Sequence, residues 1–101
     1  MNSRSTSKLT LTLKRESVTS WTYEVIITDR DGRHILSVEL DKSYHQALTS
    51  GTILPLVLVQ ESVFYLLERE PARSILGTFN IKEIVNYFPS YESDIKRDLG
   101  L

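Results

Sequence analysis

The chain has 101 residues, 41% of them hydrophobic and 25% charged, with a formal net charge of −1 and no cysteine. That is the length of one domain, able to bury roughly 60–70% of the surface of its unfolded form. A near-neutral charge provides no global field for nucleic acid or an anionic membrane. The missing cysteines exclude disulfides, thiol catalysis and cysteine zinc sites, and fit a reducing, cytoplasmic setting.

Residues 1–7 are small and polar, without the apolar segment of a secretory signal, and are expected to form a disordered leader to a single domain over 8–101. No apolar run approaches the length of a membrane span. Leu9, Leu11 and Leu13 alternate with Thr10, Thr12 and Lys14, the period of a half-buried strand. Trp21, Tyr23, Val25 and Ile27 repeat that alternation and predict a second strand rich in β-formers. Asp29-Arg30-Asp31-Gly32 then reads as a hairpin turn, in which Gly32 supplies the positive φ that a tight reversal needs. Leu36, Val38 and Leu40 define a third strand, with Ser37 and Glu39 facing outward.

At Asp41 the period changes from two to helical. Asp41 is an N-cap residue type, and Tyr44, Ala47 and Leu48 make a short apolar stripe that ends at Gly51. Pro55 fits the first turn of a longer helix reaching about Glu70, stopped by Pro71. Val59, Val63, Leu66, Leu56, Leu67, Phe64 and Val57 form its main apolar arc, while Leu58 and Tyr65 lie near the opposite pole. Gln60 falls inside that arc and needs a hydrogen-bond partner. Such a two-sided helix is central, or packs against a second chain. Asn80 and Glu83 have capping-box spacing, Phe79 and Ile84 the spacing of a hydrophobic staple. A short helix carrying Ile81, Ile84, Val85, Tyr87 and Phe88 is therefore predicted up to Pro89, and Tyr91, Ile95 and Leu99 predict a last one closed by Gly100. The expected fold class is α+β: a three-stranded antiparallel meander followed by three or four helices covering one face, in two layers.

The string Leu66-Leu67-Glu68-Arg69-Glu70-Pro71, with Ser74-Ile75-Leu76, Phe79 and Tyr87-Phe88-Pro89, resembles a family of small bacterial proteins of unknown function. Asp41, Tyr44, Leu48, Thr49 and Gly51 belong to the resemblance, which implies a short free-standing domain and no activity, cofactor or catalytic residue. The order of strand 35–40 and helices near 42–50 and 55–70 is similar in layout to the ribbon-helix-helix DNA-binding fold, which implies an antitoxin-like regulator. The chain departs from that pattern where Ser37 and Glu39 replace base-reading side chains, and where two strands precede the third.

Chemistry-bearing residues are isolated. His34 and His45 have no second ligand at a productive spacing and are expected to be exposed or structural. Asp29-x-Asp31-Gly32 opens like a calcium loop but lacks the later oxygen ligands. Ser62 sits in no nucleophile elbow. Glu68, Arg69 and Glu70 read as a helix-end charge cluster, and Arg4, Lys8, Lys14 and Arg15 as a solvated basic tail and strand face. Trp21 shares the core-facing parity of Val25 and so reads as core, not as a base-stacking platform. The expected function is a non-enzymatic protein-interaction module with no cofactor, no metal, no catalytic residue and no membrane or nucleic-acid partner. Leu58, Tyr65, Tyr87 and Tyr91 are its expected interaction surface, used for a protein partner or for a symmetric homodimer.

Overall fold

The computed structural model describes residues 7–101, so all of the expected leader except Ser7 lies outside the described residues. Strands β1 (Lys8–Glu16), β2 (Ser20–Asp29) and β3 (Gly32–Asp41) form the antiparallel meander that their alternation predicts. Trp21 pairs with Leu40, Tyr23 with Val38 and Val25 with Leu36, so the inward residues of neighbouring strands stand opposite one another. Val25, Ile27, Val38 and Leu40 are completely buried. The alternate residues Thr22, Glu24, Ser37 and Ile35 face the other side and remain half-buried or exposed. At the hairpin Gly32 adopts φ 118°, and the Asp29 carboxylate accepts the Asp31 N–H at 2.8 Å, the work of a turn and not of a metal loop.

The meander gains a fourth strand. β4 (Thr78–Asn80) lies parallel to β3, pairing Ser37–Glu39 with Thr78–Asn80, after a crossover through α1 (Lys42–Thr49) and α2 (Pro55–Leu67). A three-stranded, wholly antiparallel sheet is thus corrected to four strands of mixed direction. Three residues are too few to show an alternation, yet Phe79 turns inward between the more exposed Thr78 and Asn80. A 3-10 turn at Ala72–Ser74 precedes β4, a 3-10 helix at Ile81–Asn86 follows it, and α3 (Tyr91–Asp98) closes the chain.

The caps follow the sequence closely. Leu54 is the N-cap of α2 with Pro55 at its first position, although the helix ends at Leu67, three residues before the expected Glu70. Asn80 and Glu83 form the complete capping box of the 3-10 helix, whose tighter winding replaces the α-helix expected there. Gly100, at φ 76°, ends α3 with its N–H on Arg97 and that of Leu101 on Lys96, a Schellman closure. Asp41 caps α1 by position only. Its carboxylate instead accepts Asn80 Nδ2 at 2.9 Å and Lys82 Nζ at 2.7 Å, tying β3 to the chain beyond β4.

The buried side of α2 is rotated from its most apolar arc. Leu58, Val59, Ser62, Val63, Tyr65 and Leu66 are buried, whereas Leu56 is exposed and Val57, Gln60, Phe64 and Leu67 are half-buried. The reason is α3, which packs on the Ser62 and Tyr65 side. The hydroxyls of Ser62 and Tyr91 meet at 2.6 Å, Tyr65 donates to Asp94 at 2.8 Å, and the Tyr65 and Tyr91 rings cross edge to face at 5.2 Å. The Arg69 guanidinium lies 3.4 Å from the Tyr65 ring centroid and 3.6 Å from the Asp94 carboxylate. Tyr44 donates to Glu92 at 2.8 Å and fastens α1 to the same helix.

Burial raises the pKa of Tyr44, Tyr65 and Tyr91, reinforced for Tyr44 by the Glu92 carboxylate and for Tyr65 by Asp94. Hydrogen bonds from Tyr65 and Ser90 hold Asp94 below the ordinary carboxylate value, and those from Lys82 and Asn80 do the same for Asp41. The phenols therefore contribute fully below about pH 10 and less as pH climbs past it, while the two carboxylates contribute fully above about pH 4 and less as they protonate. Urea unfolding across pH should give a plateau between about pH 5 and 9 with a fall on each side. A midpoint that drops between pH 6 and 7 would instead assign control to a histidine.

Candidate functional site

Three of the four residues expected to form an interaction surface lie inside the molecule. Leu58 and Tyr91 are 0% exposed and Tyr65 is 1% exposed, which corrects their assignment to a surface. Leu58 and Tyr65 are buried within the chain, Tyr65 against Tyr91 and Asp94 of α3, so the ground for a symmetric dimer through them is gone. Tyr87 alone stands out, at 68% exposure.

Tyr87 marks the edge of a cleft of about 390 Å³. Its floor comes from four elements: Leu66 at the end of α2, Ile75 after the 3-10 turn, Phe79 of β4 and Ile84 of the 3-10 helix, all buried. Phe88 forms one wall, its ring edge to face with Tyr65 at 6.2 Å. Leu76, 58% exposed, stands with Tyr87 on the rim. The staple pair Phe79 and Ile84 thus does more than fix the entry to a helix, because both side chains line the same cavity. Leu66, Glu70, Ser74, Ile75, Leu76, Phe79, Tyr87 and Phe88 of the Leu66–Pro89 string, scattered along the sequence, meet here.

The polar groups are few. Glu70, Glu83 and Ser74 line the cleft, and among the described residues no lysine, arginine or histidine does. Glu83 accepts the Asn80 N–H at 2.7 Å through its capping box. The hydroxyl of Ser74 has no imidazole beside it among the described residues, and the rest of the lining is mainly apolar.

The other candidate groups serve the fold. His45 donates from Nε2 to the Ile53 carbonyl at 2.6 Å and meets the Trp21 ring edge to face at 5.3 Å, holding the α1–α2 loop against the sheet. Trp21 is half-buried beneath the Lys42 ammonium, 5.2 Å from its centroid. His34 Nε2 lies 3.5 Å from an Asp29 carboxylate oxygen at the hairpin. Glu39 accepts from Ser20 at 2.9 Å and from Asn80 at 3.4 Å, so the polar groups at the end of β3 are spent on one another. Among the described residues no group of three or more His, Asp or Glu side chains is arranged to hold a metal ion, and no helix is long and apolar enough to cross a membrane. No protein-family model, curated protein or solved structure matches the chain.

Sequence patterning singled out Tyr87, which is exposed, and the staple pair, but missed the cleft. Its signal, Leu76 and Tyr87 flanking a capping box, becomes spatial only once β4 folds the connector back against β3. Floor and rim should separate by mutation. Phe79→Ala should cost about 3–5 kcal/mol, and Leu76→Ser should stay within about 0.5 kcal/mol of the parent, both read from urea unfolding. Equal losses would make the rim part of the core.

Proposed function

We propose that the chain is a non-enzymatic interaction module and that the cleft between α2, β4 and the 3-10 helix is where a protein partner docks. The observation that carries this reading is an apolar cavity with two large side chains, Leu76 and Tyr87, left exposed at its rim. Isolated exposed hydrophobics are common, but two beside a preformed apolar cavity are the pattern of a binding surface. Burying either side chain under a partner is worth roughly 1.5–3 kcal/mol before the costs of association. The lining supplies hydrophobic contact and no base, nucleophile or electrophilic group in register, which favours recognition over chemistry.

The antitoxin-like reading draws less support. A ribbon-helix-helix strand has to pair with its twin from a second chain. Here β3 is bonded to β2 along its length and to β4 at Ser37–Glu39. The Glu39 carboxylate, which accepts from Ser20 and Asn80, would also approach phosphate with the wrong sign.

A photoreactive phenylalanine placed at Tyr87 or Leu76 in the native host tests the reading. The expected result is one discrete heavier adduct from both positions, absent when the same group replaces Thr10 on the opposite face of the sheet. Adducts from all three positions, or from Thr10 alone, would count against the cleft.

A further inference from the structure

The charge around the cleft identifies the partner's chemistry. Its two ionisable lining residues, Glu70 and Glu83, are both acidic. Three cations adjoin these elements in sequence, and each makes its closest contact away from the cleft. Arg69 stacks on Tyr65 and donates to its carbonyl at 2.9 Å, Arg73 lies 3.6 Å from Asp31, and Lys82 bonds Asp41 at 2.7 Å. An apolar cavity is thus flanked by two carboxylates, of which Glu83 already feels the Lys82 ammonium and Glu70 is the one without a hydrogen bond or ion pair among the described residues.

We infer that the occupant of this cleft is a basic peptide segment of another protein, one bulky apolar side chain entering between Leu76 and Tyr87 while a neighbouring lysine or arginine meets Glu70. The inference rests on the docking reading above and deepens it. An apolar anchor alone would bind many exposed hydrophobic segments. The carboxylates add selection, because an acidic segment would face like charge at the rim while a cationic one gains complementarity and faster encounter. The cation contacts lie at a solvated rim, so their effect is modest and weakens with added salt. The floor does not need to open: Phe79 and Ile84 are held by the capping box, and Asn80 and Lys82 are pinned to Asp41. A preformed cavity spares the partner the cost of ordering it.

The test is selection of a random peptide library, of about twelve residues per peptide, on the full chain, followed by titration of enriched synthetic peptides into the isotope-labelled protein. The expected consensus has a Leu, Phe or Trp with Lys or Arg within about three positions, and its titration moves the backbone signals of Leu76, Tyr87 and Phe88. Replacing those cations with alanine should weaken binding about twofold to fivefold, and Glu70→Gln should reduce the penalty of that replacement. Peptides that map to the cleft but carry no basic preference, or an acidic one, overturn the inference and leave the docking reading standing. No enrichment, or peptides that shift signals only on the far face of the sheet, overturn both.

Discussion

A helix that is apolar on nearly every side has to be covered on more than one side, and α2 sets this requirement for the whole domain. Val59, Val63 and Leu66 are buried, and so are Ser62 and Tyr65 on another side of the helix, where a second cover is needed. In this chain the cover is α3, joined through the Ser62–Tyr91 hydroxyl contact, the Tyr65–Asp94 bond and the stack of Arg69 on Tyr65. Ser62 is completely buried, and Tyr91 provides the partner that a buried hydroxyl needs. The domain is complete only when α3 has docked.

The route by which the chain reaches α3 creates the cleft. From Leu67 it turns through Ala72–Ser74, adds β4 to the sheet and winds through Ile81–Asn86 before Tyr91. These short segments bury Ile75, Phe79, Ile81 and Ile84 on their inner side but have too little bulk to fill the space beyond. The cluster of Asp41, Asn80 and Lys82 fixes their position relative to β3. A cavity framed by pinned elements keeps its shape without an occupant, and the same geometry leaves Leu76 and Tyr87 exposed beside it.

Much of the fold was legible. The alternation from Trp21 to Ile27, the glycine at the hairpin, Pro55 at a helix start, the capping box at Asn80 and the glycine stop at Gly100 each express a local stereochemical rule, and the structure follows all five. What failed depended on distance. Periodicity locates the apolar sides of α2 but does not say which one meets the sheet, so Leu58 and Tyr65 read as surface while the α3 partner of Tyr65 lay 29 positions away in sequence. Three-residue β4 is held by pairing with β3 and has no pattern of its own. Asp41 has the right residue type for a cap, but its carboxylate answers to Asn80 and Lys82 across the fold. The site shared these limits: Tyr87 and the staple were readable one by one, and the cavity between them was not.

Sealing α2 within the chain requires α3 to be as firmly part of the domain as the sheet. Native-state amide exchange on the full chain measures this directly. The amides of Ile95 and Leu99, bonded within and at the end of α3, should exchange only through global unfolding, with the same free energy as Val25 and Val38 in the centre of the sheet. If α3 exchanged through a separate, much easier opening while the sheet stayed protected, the Ser62 and Tyr65 side of α2 would be only loosely covered, and the claim that this chain seals its own central helix would fall.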